Sequence, residues 1–240
     1  MPTISERIKR IKDNISSTCV RCGRDPDEIK IVIVTKSAAI EAIKEVVGLG
    51  YTDLGENHVQ QLKKVSAQAS FFLGQAGDNS ASPPRTINWH MIGHLQRNKV
   101  RQVLPLVFMI HSVDTLRLAE EINVSAAKLN LCPKVLLQVN TSDEPQKYGV
   151  PVGAAMHLAE QIDTLPNLKL VGLMTMAPLT HNKSAISVCF TRARELFIEM
   201  QGEKVVGPQF AELSMGMSAD YEIAIEEGAT ILRIGSAIFA

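Results

Sequence analysis

Aromatic residues are scarce in this chain: seven Phe, three Tyr and one Trp among 240 residues, 5% in all. Charge of either sign has no surplus, because Lys+Arg and Asp+Glu both number 25 and the formal net charge is zero. A chain with no basic excess and few stacking side chains is a poor nucleic-acid binder. Cysteine is sparse as well, and four residues cannot build a disulfide scaffold. No apolar run is long enough to span a bilayer. The N-terminus, MPTISERIKRIKDNI, is polar and lacks the apolar centre of a signal peptide. These absences leave a soluble protein, expected in the cytoplasm, with neither a membrane nor a nucleic acid as partner. What is present is ordinary: 45% apolar and 21% charged residues, a globular composition.

The periodicity is more telling than the composition. Ile4, Ile8, Ile11 and Ile15 form one helical stripe within residues 3–21, which predicts an N-terminal helix. The unbroken run Ile31-Val32-Ile33-Val34 suits a strand buried on both faces, as in a parallel sheet. Further short β-rich runs fall near Thr52–Leu54, Ile87–Ile92, Val107–Ile110, Val135–Val139, Leu168–Leu173, Phe210–Leu213 and Ile231–Ile234. Helical stretches separate most of them: Ala39–Val47, Thr115–Leu129, Gly153–Leu165, Ser184–Gln201 and Ser218–Glu227. Strand-helix alternation implies a parallel sheet. Eight such units predict an α/β fold, a single (β/α)8 TIM barrel with an extra N-terminal helix, as one domain over residues 1–240. An open doubly wound sheet is the alternative. Residues Ser66–Asn88, which include GQAGDNSASPPR, read as a flexible surface loop.

Barrel chemistry collects at the carboxyl ends of the strands. Lys36 closes the first all-apolar strand, where partial desolvation lowers an amine's pKa and prepares it for Schiff-base chemistry. On position alone a snorkelling side chain explains it better. The seventh strand leads into Ser214-Met215-Gly216-Met217-Ser218, and the eighth into Arg233-Ile234-Gly235-Ser236. Both are small glycine-containing turns entering helices, where backbone N–H groups and hydroxyls bind phosphate. Either turn alone is adequately explained by backbone geometry. Two of them at the places where barrels often hold phosphate, with a lysine on the first strand, point to pyridoxal 5′-phosphate (PLP), which carries an aldehyde and a phosphate.

Seven stretches carry a family resemblance: VTK (34–36), LGENHVQQL (54–62), WHMIGHLQRNKV (89–100), IHSVDTLRLAEEI (110–122), LQVNTSDEPQKYGV (137–150), GLMTMAP (172–178) and LSMGMSADYEIAIEEGATILRIGSAIF (213–239). They are spread over nearly the whole chain, in family order, and it closely resembles the PLP homeostasis family, described as YggS-like or proline synthase co-transcribed proteins. The resemblance implies a barrel similar to the N-terminal domain of bacterial alanine racemases. It implies PLP held as a Schiff base on Lys36 and phosphate contacts from the backbone of Gly235 and Ser236. Ser218, or Ser214 as a second candidate, would add a phosphate-binding hydroxyl. Arg233 would face the pyridine nitrogen, while Asn57, His90 and Met174, after strands two, three and six, would line the pocket. The sequence departs from the family in two places. No proline follows shortly after Lys36, which reads on as Ser37-Ala38-Ala39-Ile40, and the chain ends IFA rather than continuing past IFG.

The expected function is therefore a PLP holder in intracellular PLP homeostasis, without robust catalysis and with no catalytic residue assigned. Its partners would be PLP and PLP-dependent enzymes as recipients, and the chain is expected to be a monomer, with a dimer as the alternative. The competing reading is an amino-acid racemase. Racemisation needs an acid/base on each face of the substrate, and the similar racemases supply the second, a tyrosine, from another domain. The chain stops at Ala240 with only Tyr51, Tyr148 and Tyr221, so a second base is not expected. An arginine beside the pyridine nitrogen disfavours its protonation and weakens the ring as an electron sink. No metal site is expected. Cys19-Val-Arg-Cys22 sits at a helix end without two further ligands, and Gly93 breaks the helix that a His90/His94 metal pair would need. Arg97, Lys99 and Arg101 read as a solvated helix start, with a phosphate or partner contact as the alternative.

Overall fold

The computed structural model describes residues 2–75, 86–142, 144 and 146–240. The apolar run at Ile31–Val34 becomes strand β1 (Lys30–Val34), with Val32, Ile33 and Val34 buried. Around it stand β2 (Asp53–Glu56), β3 (Asn88–Met91), β4 (Met109–Val113), β5 (Lys134–Asn140), β7 (Lys169–Met174), β8 (Glu212–Met217) and β9 (Ile231–Ile234). Every pairing is parallel. β1 adds β2 on one side (Ile33 opposite Leu54) and β9 on the other (Val32 opposite Arg233). β4 pairs with β5, which completes the ring. The sheet is thus closed, an eight-stranded TIM barrel, and the open-sheet alternative is excluded. A two-residue strand, β6 (Val150–Pro151), pairs with β5 alone and lies outside the ring.

Helices wrap the barrel. The predicted N-terminal helix is α1 (Ile4–Cys22), opened by a Thr3–Glu6 capping box and ended by Gly23 in the left-handed region at φ 70. Its Ile8, Ile11 and Ile15 stripe is buried, and the helix packs on α2 (Ile40–Gly48). α3 (Val59–Gln75), the short α4 (Val100–Val103), α5 (Leu116–Leu129), α6 (Val152–Asp163) and α7 (Lys183–Gly202) follow. Two short helices, α8 (Tyr221–Glu226) and α9 (Ser236–Phe239), close the order and also contact α1.

Three boundaries differ from expectation. The surface loop expected from Ser66 begins no earlier than the end of α3, because Leu62, Val65 and Ala69 continue a buried helical stripe; residues 76–85 lie outside the described residues. Strand β8 runs on through Ser214–Met217, so the turn expected there is strand, and α8 starts at Tyr221 instead of Ser218. His90 and Met174 lie within β3 and β7 rather than after them.

Candidate cofactor site at the carboxyl ends of the strands

Inside the barrel two layers stack. Val32, Met109, Leu136, Val171, Met174 and Ile231 form a separate apolar cluster. A polar chain crosses the same interior. Asp53 Oδ1 lies 3.1 Å from His90 Nε2, His90 Nδ1 lies 2.9 Å from His111 Nε2, and His111 Nδ1 lies 3.0 Å from Ser214 Oγ. Arg233 ends the chain, donating from Nη1 to Ser214 Oγ at 2.7 Å and from Nη2 to the Thr175 carbonyl at 2.8 Å. One donor order satisfies every member: Arg233 to Ser214, Ser214 to His111, His111 to His90, His90 to Asp53. Burial pushes His111 well below the usual histidine range, and the charges of His90, Arg233 and Lys30 push the same way. Burial alone would raise Asp53; the His90 bond and charge, with Asn88 and Lys30, outweigh it and hold the carboxyl low. Arg233 is pulled down to about 10 by burial, against the opposing pull of Asp220, and it still carries its charge at neutral pH.

Above this layer a cavity of about 410 Å³ opens, within the usual range for small-molecule sites. It is lined by Lys36, Asn57, Ser218, Arg233, Gly235 and Ser236, together with Ile92, Gly93, His94, Gln138, Tyr148 and Met176. Six of the nine residues singled out from the sequence therefore meet in one place. Ser214, His90 and Met174 do not line it: all three are buried in the barrel interior, the first two as members of the polar chain.

Each wall has a local cause. Lys36 stands two residues beyond β1, in a turn where Ala38 N–H donates to the Thr35 carbonyl at 2.8 Å. Its side chain is exposed, so the desolvation expected of it is not found. The turn is anchored through Thr35, whose N–H donates to Gly55 O at 3.0 Å and whose hydroxyl lies 2.5 Å from Glu56 Oε1. Glu56 is fully buried, and its Oε2 has no partner among the described residues; burial raises its pKa despite the Thr35 bond. Ser218 sits in a tight turn that Asp220 cinches by accepting from Met217 N–H at 2.5 Å. Its hydroxyl oxygen accepts from the N–H groups of Gly235 and Ala237, both at 3.2 Å, and so lies over the start of α9. Gly93 is required by close approach, since a Cβ there would fall 2.2 Å from Asn57 O. Asn57 Oδ1 is a buried acceptor with no donor among the described residues.

Sequence reasoning missed Tyr148, which lines the cavity and stacks on His94 at 4.3 Å. It follows β5 after a loop, so no strand-end rule picks it out. Tyr221, by contrast, is buried and bonded to Asn14 at 3.0 Å, while Tyr51 lies beside α1. Cys19 and Cys22 are free thiols, and Cys22 donates to the carbonyl of Thr18. Among the described residues no group of three or more His, Cys, Asp or Glu is placed to hold a metal, and no helix is long and apolar enough to cross a membrane.

The geometry has counterparts. Residues 7–240 match the family model described as alanine racemase, N-terminal domain. A pyridoxal phosphate homeostasis protein of Aquifex aeolicus is 40% identical over 235 residues, covering 98% of this chain and 96% of the relative. The protein of the same name from Escherichia coli K12 is 37% identical, covering 100% of this chain and 97% of the relative. PipY of Synechococcus elongatus PCC7942, solved with PLP bound, superposes with a TM-score of 0.79 at 30% identity, covering 96% of this chain and 100% of PipY. The chain belongs to the alanine racemase N-terminal domain family and, within it, to the pyridoxal phosphate homeostasis proteins.

Proposed function

We propose that this chain holds PLP in the cavity at the carboxyl ends of its strands and serves intracellular PLP homeostasis. The observation that carries the reading is the meeting of Lys36, Arg233 and the Ser218–Gly235–Ser236 turn pair around one cavity. The lining fits the group: a primary amine from Lys36, hydroxyl and glycine residues at the start of α9, and the Arg233 guanidinium. PipY with PLP bound, a protein of the same fold at 30% identity, supports it. When bound, PLP supplies an aldehyde for a primary amine and a ring that accepts electrons.

In this reading Lys36 provides the amine that attaches the cofactor as a Schiff base. Ser218 and the backbone of Gly235 and Ser236 hold the phosphate. Arg233 keeps its proton and its charge against the ring nitrogen, held in place by Ser214 and Thr175; its charge disfavours a second proton there. The chain then stores the aldehyde, keeps its free concentration low and passes it to PLP-dependent enzymes in the cytoplasm, acting as one domain and as a monomer. A phosphate requirement tests this. After gel filtration the protein retains PLP and loses pyridoxal, and Ser218→Asp loses PLP through like-charge repulsion. Retention of both vitamers alike would contradict the phosphate site.

Amino-acid racemisation is the second reading, favoured by one observation: Tyr148 lines the same cavity as Lys36. We expect negligible alanine racemisation. A turnover of about 10 per second, typical of enzymes, that Tyr148→Phe abolishes would reverse the order of the two readings.

A further inference from the structure

Charge is balanced over the whole chain but not around the barrel. Residues 57–113, from the end of β2 to the end of β4, contain Lys63, Lys64, Arg85, Arg97, Lys99 and Arg101 against the single acid Asp78. Asp78 and Arg85 lie outside the described residues. The described part of this segment therefore carries five cations and no carboxylate, and the remainder of a neutral chain carries the opposite excess. We infer that this one-sign face steers the phosphate-bearing cofactor into the Lys36 cavity, setting how fast PLP enters and favouring it over the unphosphorylated vitamer. The inference rests on the reading of that cavity as the PLP site.

The face stands beside the entrance. Lys99 lines a cleft of about 500 Å³ that shares Asn57, Gly93, His94 and Tyr148 with the Lys36 cavity. Arg97 and Arg101 are exposed, and each is two residues from Lys99, so their Cα atoms lie within about 8 Å of its own. Helix α3 starts in the same cleft, at Val59. Lys63 and Lys64 follow about one turn later, roughly 6 Å along the axis. Lys63 Nζ donates to Gln102 Oε1 at 3.2 Å, which ties the two cationic segments into one surface. The dipole of α3 adds partial positive charge at its start.

Nothing beside the entrance cancels this charge. No Asp or Glu lines either cleft. Among the described residues none of the five cations is bonded to a carboxylate. Burial raises Asp114 toward its neutral form, opposed by His94, and Glu144 is paired with Lys147. On α5, which packs on α4, Glu121 accepts from Ser125 and Glu120 is exposed to solvent. Like charges gathered on one surface repel and do nothing for the fold. They act on a ligand instead. A phosphate monoester carries about −1.5 to −2 at neutral pH, and its attraction to a cationic rim reaches about 10 Å at 0.1 M salt. Fields of this kind raise entry rates by about 10 to 10³-fold. Pyridoxal, without the phosphate, gains nothing from them.

Stopped-flow absorbance of PLP loading onto the full chain freed of PLP tests this. Arg97→Gln/Arg101→Gln removes two charges that line neither cleft. Lys128→Gln/Lys169→Gln removes two at the amino ends of the strands, at the end of α5 and the start of β7. At about 10 mM salt, where the Debye length is about 30 Å, the first pair is expected to slow the second-order loading rate about fivefold. Its dissociation rate should stay within about twofold of wild type, because steering acts mainly on entry. At about 1 M salt, where the Debye length is about 3 Å, the difference should vanish. The second pair should load PLP like wild type, and pyridoxal entry should ignore both pairs. Loading indifferent to Arg97→Gln/Arg101→Gln, equal slowing by the second pair, equal slowing of pyridoxal, or faster dissociation with unchanged entry would overturn the inference. A wild type that takes up no PLP overturns the cofactor reading along with it; normal uptake with one of those outcomes overturns the steering alone.

Discussion

Glu56 has no exposed surface, a short bond with Thr35 and an oxygen with no partner among the described residues. An ionised carboxylate in that setting leaves a charged oxygen unsolvated, so the neutral acid is favoured and burial raises the pKa. The folded value lies above the unfolded one. Its stabilising contribution is therefore full below the unfolded pKa and is lost as pH rises through the folded pKa. Glu56→Gln keeps the shape and removes the titration. The melting temperature of Glu56→Gln relative to wild type is expected to rise between pH 4 and pH 7, as measured by thermal unfolding in both buffers; a pH-independent difference would refute a neutral Glu56. His111 runs the other way. Its folded pKa lies below the unfolded one, so its contribution is present above about pH 6.5 and is lost on acidification. Stability that declines below that pH in wild type and less in His111→Asn is the expected outcome of acid titration followed by circular dichroism. At this scale the sequence showed Lys36, Ser218, Arg233 and Gly235, because barrel chemistry follows strand ends. It did not show Glu56 or His111 as partners, since the two-residue period marks which face a side chain takes and not which polar group it meets across the barrel.

Elements read more easily than their ends. The Ile31–Val34 run and the α1 stripe were plain because burial imposes period and length together. β8 was drawn too short because Ser214 and Gly216 resemble turn residues; the barrel interior takes the serine into a hydrogen bond with Arg233, and the glycine is a steric need. Gly216 has φ +88, and a Cβ there would lie 2.5 Å from the Ala224 Cβ of α8. Gly216→Ala is thus expected to destabilise by about 1–3 kcal/mol. It should also weaken PLP retention, because displacing α8 moves the turn that carries Ser218; denaturant melts and gel filtration with PLP check the two effects. α3 is not among the predicted helices for the opposite reason: the Gly, Ser and Pro residues beyond it mask the Leu62, Val65 and Ala69 stripe. At the other end of the chain, Thr3→Ala removes the α1 cap. It should cost about 1 kcal/mol, with Thr3→Ser restoring most of it in the same denaturant melt.

The site belongs to the closed barrel as a whole. Residues from the ends of β1, β2, β3, β8 and β9 line one cavity, and the β1–β9 pairing joins the first three strands to the last two in the ring. Balanced charge and few aromatics pointed to no chemistry; the order of strands did that. The central claim is that Lys36 is the amine to which the cofactor is attached. Borohydride reduction of the PLP-loaded protein followed by peptide mapping tests it most directly. The modified residue should be Lys36, and Lys36→Ala should lose both the mapped adduct and the visible absorption band. An adduct on a different lysine, or a band that survives Lys36→Ala, would contradict it.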